Sequence, residues 1–182
     1  MLRIRLYVIL LFFLFMSSCL TYRTVVFVLE FTDNFSSGKL TVTYENIRSS
    51  HKDPEKRTAD FRELLELYEQ DQFLLDQVRE GIYVRERTLF TRGDTLIGRY
   101  SGIFERLNID GHILDNNEKE RFLTLELSSQ QIIQSDANIV RDGDNVRLTW
   151  PTDRKKIWFS ITETDPDTGR YSMIDDYHVW KK

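Results

Sequence analysis

Cysteine is almost absent from this chain: one residue, Cys19, in 182. An intrachain disulfide framework is therefore excluded. Proline, with three residues, and glycine, with eight, are scarce, and no tract is repeated or compositionally biased, which excludes collagen-like and linker-like chains. The three histidines, His51, His112 and His178, have no second ligand at helical or hairpin spacing. No zinc motif follows from them, and no metal or other cofactor is expected. No serine stands in a G-x-S-x-G elbow and no glycine loop resembles a phosphate cradle, so no catalytic residue is assigned and no enzyme is expected. The longest apolar run, Leu6 to Met16, is eleven residues. A helix that crosses a bilayer needs about 20.

That run is nevertheless informative. Arg3 and Arg5 precede it, and Ser17, Ser18 and Cys19 follow it. Basic, then apolar, then small is the layout of a secretory signal peptide. Met16-Ser17-Ser18-Cys19 resembles the lipobox of bacterial lipoproteins, with methionine where that family prefers leucine. The resemblance covers this segment only. It implies that the Cys19 thiol carries a diacylglycerol, that the chain is cut before Cys19, and that the new amino group receives a fatty acid such as palmitate. Two or three chains hold a protein stably on a membrane, because each buried methylene contributes about 0.8 kcal/mol. In some members an aspartate after the cysteine retains the protein at the inner membrane. Leu20 stands there instead, which leans toward the outer membrane. The alternative is an uncleaved signal-anchor with an unmodified Cys19.

The expected organisation is a signal peptide over 1–18, a lipidated cysteine and short tether over 19–23, and one α+β domain over 24–182. Loss of 1–18 removes two arginines and no acid, leaving 23 basic and 29 acidic side chains, net −6. A mildly acidic surface disfavours nucleic acid as a partner. Aromatic content of 13% suits a folded, β-rich body.

Thr24 to Phe31 alternates as a strand, with Val25, Phe27, Leu29 and Phe31 on one face. Asp33 to Gly38 reads as a turn, and Lys39 to Tyr44 as the returning strand of a hairpin. Asp53-Pro54 is a helix start, and the helix is expected to run about 25 residues to Glu80, with a kink or break near Gln70 that gives two shorter helices. Its apolar stripes are Phe61, Leu64, Leu65 and Tyr68, then Leu67, Leu74 and Val78. Strands are expected at 82–90 and 95–104, with Gly98 and Gly102 marking bulges or bends. Asn108 to Gly111 is a turn. Further strands follow at 112–114, 121–127, 130–135, 138–140, 145–150 and 156–162, and 171–180 is a last strand or an irregular end. The fold class is α+β: a curved antiparallel sheet of several hairpins packed against one long helix. The order of hairpin, helix and Leu96-Ile97-Gly98-Arg99-Tyr100-Ser101-Gly102-Ile103-Phe104 looks like the LppM-like domain of bacterial lipoproteins. That resemblance implies a membrane-anchored domain that holds a lipid or another apolar molecule.

Three other stretches invite chemistry. Asp165 to Gly169 has the flavour of a calcium loop but lacks the later bidentate glutamate, and it reads as a turn, as does Asp142 to Asn145. Arg92-Gly93-Asp94 spells the integrin-binding tripeptide at an expected hairpin tip. Trp158 lies opposite Ile157, Phe159 and Ile161 in its strand. A core position is expected, and an exposed one would make it an interfacial or ligand contact. The expected role is a non-catalytic binding or structural module on a membrane of the cell envelope, with an apolar ligand or an envelope protein as partner. The alternatives are an adhesin displaying Arg92, Gly93 and Asp94 and, more remotely, a hydrolase.

Overall fold

A computed structural model describes residues 19–32, 37–109, 112–116, 119–128, 130–164 and 169–182. The segment 1–18 expected as a signal peptide, the turn expected at Asp33–Ser36, Asp110 and Gly111 of another, and Asp165–Thr168 of the calcium-flavoured stretch lie outside these residues.

The strands β2 (Thr24–Phe31) and β3 (Ser37–Glu45) form the expected hairpin, with Phe27 opposite Val42. Ser37 and Gly38 belong to β3 rather than to the turn. Around this hairpin β5 (Ile82–Arg92), β6 (Thr95–Glu105), β11 (Gln131–Ser135) and β14 (Lys156–Glu163) complete an antiparallel sheet in the order β11-β14-β2-β3-β6-β5. A second antiparallel sheet has the order β12-β13-β10-β9, from β9 (Asp115–Asn116), β10 (Glu120–Glu126), β12 (Asn138–Asp142) and β13 (Asn145–Pro151). A two-stranded pair joins β7 (Asn108–Ile109) and β8 (His112–Ile113).

Alternation decides which side of each strand is buried. Val25, Phe27, Leu29 and Phe31 of β2 face a common core with Leu40, Val42, Ile157 and Phe159, as the sequence pattern predicts. Leu123, Leu125, Val146, Leu148 and Trp150 of the second sheet close that core from the other side. The main core is therefore sheet on sheet, a correction to the expectation of a sheet covered by a helix. Arg121 is also buried there. Its guanidinium lies 3.7 Å from the Phe31 ring centroid and donates to the carbonyls of Thr152 and Arg154 at 2.9 and 3.1 Å, and burial pushes its pKa down.

The bulge lies not in β6, where Gly98 and Gly102 placed it, but in the partner strand β5, between Val84 and Glu86, opposite Gly102 and Ser101. A Cβ on Gly102 would stand 2.4 Å from the Tyr83 carbonyl oxygen, so only glycine lets the bulged strand approach there.

The helix expected over 54–80 breaks at Gln70, as its polar interval predicts, into α1 (Pro54–Glu69) and α2 (Asp71–Arg79), so one continuous long helix is not formed. Asp53 caps α1 by accepting from the amides of Glu55 and Lys56. Gln70 is extended at φ −78° and ψ 150°, and its carbonyl accepts from Arg87 Nη1 of β5 at 3.0 Å. The same guanidinium lies over the rings of Tyr68 and Phe73, 5.8 and 5.9 Å from their centroids, and the Tyr68 hydroxyl donates to the Arg87 carbonyl. One arginine thus holds both sides of the break. The second expected stripe is not a core stripe: Leu67 and Val78 are exposed, and α2 packs instead through Phe73 on Tyr100.

Residues 171–180 are corrected as well. Tyr171–Ser172 is a short strand, β15, and Ile174–Trp180 is a helix, α3. A third sheet, in the order β1-β4-β15, joins β15 to β1 (Leu20–Thr21) and β4 (Arg48–Ser49). Ile47, Phe61, Leu89, Leu96, Met173 and Tyr177 form a second core, against which Leu20 packs.

Glu63 sits one helical turn beyond Asp60. Burial, then the carboxylates of Asp60 and Glu66, push its carboxyl above the usual range. A raised folded-state pKa means that stability is full below the unfolded pKa and is lost as pH rises through the folded one. Glu63→Gln is therefore expected to raise the urea midpoint at pH 7 slightly and to leave it unchanged below about pH 4, where both states are protonated.

Candidate functional site

Residues 19–23, expected as a tether, are built into the body. Leu20 and Thr21 pair with Ser49 and Arg48, and the Cys19 carbonyl accepts the Ser50 amide at 2.7 Å. This pairing carries the Cys19 side chain to the loop before α1. Cys19 Sγ lies 3.4 Å from His51 Nε2. His51 Nδ1 lies 3.1 Å from Asp60 Oδ2, and the Ser49 hydroxyl donates to the same oxygen while accepting the His51 amide at 2.9 Å. Asp60 and Ser49 are buried, whereas Cys19 and His51 are partly exposed.

His51 is thus not isolated, a correction to the sequence reading. A carboxylate on Nδ1 favours the proton there and turns Nε2, as acceptor, toward sulfur. A thiol, an imidazole and a carboxylate in that order are the parts of an activated nucleophile. The same three residues offer ligand atoms within 4.8 Å of one another. They fit a metal poorly. Asp60 holds the ring nitrogen opposite the one that faces sulfur, so it orients the ring, and two protein ligands fall short of the three or four that zinc takes.

The remaining sequence candidates do not join this cluster. Arg92-Gly93-Asp94 forms the tip of the β5–β6 hairpin, with Gly93 at φ +56° and all three residues exposed. Arg92 Nη1 is 3.5 Å from Glu45 Oε1. Trp158 is 38% exposed, so the core position expected for it is corrected. It lies on the open face of the large sheet, beside Val28. β14 and β6 are three strands apart in that sheet, so Trp158 and the tripeptide share no surface patch. His178 meets the Tyr177 ring edge to face in α3, with centroids 5.8 Å apart. On the open face a groove of about 630 Å³ is lined by Val28, Thr41, Ser101 and Ile103 together with the charged Glu30, Lys39, Arg85 and Glu86.

Spacing could not announce the cluster, because 32 residues separate Cys19 from His51 and nine separate His51 from Asp60. The available hint was a histidine just ahead of a capped helix start, which places it beside the first turns of α1. No family model, no curated protein and no solved structure matches the chain. Among the described residues, no helix is long and apolar enough to cross a membrane.

Proposed function

We propose that the chain is a bacterial lipoprotein, anchored through Cys19 to a membrane of the cell envelope, the outer membrane where there are two. Its folded part is a non-catalytic binding or structural module. The observation that carries this reading is the position of Cys19. It ends the basic, apolar, small run in sequence and heads the first paired strand in space. An acylated sulfur there would hold the body directly against the lipid. If the module holds an amphipathic ligand, the groove on the open face of the large sheet is the place for it.

Intact mass of the chain extracted from membranes tests the reading. The expected species begins at Cys19 and carries a diacylglycerol and an amide-linked acyl chain. Cys19→Ala is expected to leave the precursor uncleaved. A wild-type chain that begins at Met1 with an unmodified thiol overturns the reading.

A second reading rests on the Cys19, His51 and Asp60 geometry. An unacylated Cys19 would give its proton to His51 Nε2 and serve as a nucleophile, the chemistry of a thiol hydrolase. Loss of iodoacetamide labelling at Cys19 on His51→Ala, in a chain shown to be unacylated, is the result that supports it. An adhesive role would fall to the exposed Arg92, Gly93 and Asp94, and Asp94→Glu with unchanged host-cell attachment eliminates it.

A further inference from the structure

If Cys19 carries the anchor, the surface around it meets the bilayer. This inference rests on the lipoprotein reading and deepens it. There is no slack between anchor and body: the Cys19 carbonyl is bonded to Ser50, and Leu20 is paired with Ser49 and packed on the core that Met173 and Tyr177 help to form. Tyr171 pairs with the same Ser49, and Met173 leads at once into α3. The anchor and α3 are thus neighbours on one small sheet. Asp60, in the Cys19 cluster, is followed in α1 by Phe61, whose ring lies 6.4 Å from that of Trp180, and Thr58 donates to Asp176 at 2.7 Å.

The end of α3 is unusual for a water-facing surface. Val179 is 74% exposed and Trp180 38%. Lys181 and Lys182 follow, both exposed, with Lys181 Nζ 5.7 Å from the centroid of the Trp180 ring. The acids of this helix, Asp175 and Asp176, lie in its first turn, at the other end. Trp180 rests on Phe61 and Tyr177 and stays partly exposed, as an aromatic ring does at the level of lipid headgroups. An aliphatic side chain, a half-buried tryptophan and paired lysines are the elements of an interfacial contact, in which lysines meet lipid phosphates.

We propose that Val179, Trp180, Lys181 and Lys182 form a second membrane contact that seats the lipid-anchored body on phospholipid headgroups in one orientation. The two contacts together make the anchor a mount rather than a leash. They leave the open face of the large sheet, which α3 does not cover, available for other partners.

The test uses the full processed chain, with its anchor verified by intact mass, in vesicles of phosphatidylethanolamine and phosphatidylglycerol. Trp158→Phe leaves two tryptophans, of which Trp150 is fully buried. Lipids labelled with a nitroxide at the headgroup or deep in the chain serve as quenchers. The expected result is loss of Trp180 emission, greater with the shallow label, and less quenching after Lys181→Glu with Lys182→Glu, two exposed changes that leave the fold intact. A chain with its anchor in place and Trp180 emission indifferent to both labels overturns this inference alone. Protection of Trp180 by a bound protein overturns it too. An unacylated Cys19 overturns the reading beneath it and this inference with it.

Discussion

Trp150→Ala is expected to cost about 3–5 kcal/mol of stability. Trp150 is fully buried where the two sheets meet, with its ring centroid 6.3 Å from that of Phe159 on the opposite sheet. The indole Nε1 donates to Asp136 Oδ1 at 2.8 Å. That oxygen also accepts the Trp158 amide at 3.1 Å, and the other carboxylate oxygen faces Arg154 Nη1 at 3.1 Å. Truncation therefore opens a cavity between the sheets and withdraws one donor from a carboxylate that links β13, β14 and the turn between β11 and β12. Trp150→Phe keeps most of the packing and should lose only about 1 kcal/mol with the hydrogen bond. Urea melts followed by far-ultraviolet circular dichroism separate the two terms, since the midpoint should fall while the slope is kept. An alanine variant with an unshifted midpoint would show that the interface does not depend on this ring.

How much of this was readable beforehand varied with the range of the interaction. Local patterns transferred well. The alternation of Thr24 to Phe31 named the four side chains that are buried, and Gly93 and Gly143 sit at positive φ in the hairpin loops where turn chemistry put them. Strand existence was legible, but pairing was not. Nothing in the runs 120–126 and 145–151 says that they leave the first sheet to form a second and close over it. The break at Gln70 was visible as a polar interval, while its geometry depends on Arg87, seventeen residues away on β5. Residues 171–180 read as a last strand or an irregular end. The better signal was the spacing of Met173 and Tyr177, four apart and both buried, with two aspartates in the first turn of a helix. Trp158 was assigned correctly to the face opposite Ile157. Whether that face was covered depended on partners that the strand itself does not name. The Cys19 cluster is the extreme case, because only the β1–β4 pairing brings its members together.

Asp60→Ala tests what that cluster does for the chain. Asp60 is buried and is the acceptor for the fully buried Ser49 hydroxyl and the partner of His51 Nδ1. Alanine leaves a hydroxyl without its acceptor, buried away from water, and a partly exposed imidazole without its orienting carboxylate. Bonds to a charged acceptor contribute about 1.5–3 kcal/mol each, and an orphaned buried donor costs about 1–3 kcal/mol, so the expected loss is about 3 kcal/mol. Asp60→Asn keeps one acceptor oxygen and should lose about half of that. The loss should also be local. Ser49 anchors both β1 and β15, so the amides of Leu20, Thr21 and Ser50 should exchange with deuterium faster in the variant, while those of Phe27 and Leu148 change only with global stability. Stability in urea and exchange by mass spectrometry are separate readouts of one cause. Unchanged protection at Leu20 and Ser50 would mean that the backbone pairing alone holds Cys19 to the body. The carboxylate would then owe its burial to some other task, and orienting His51 toward sulfur is the task its geometry fits.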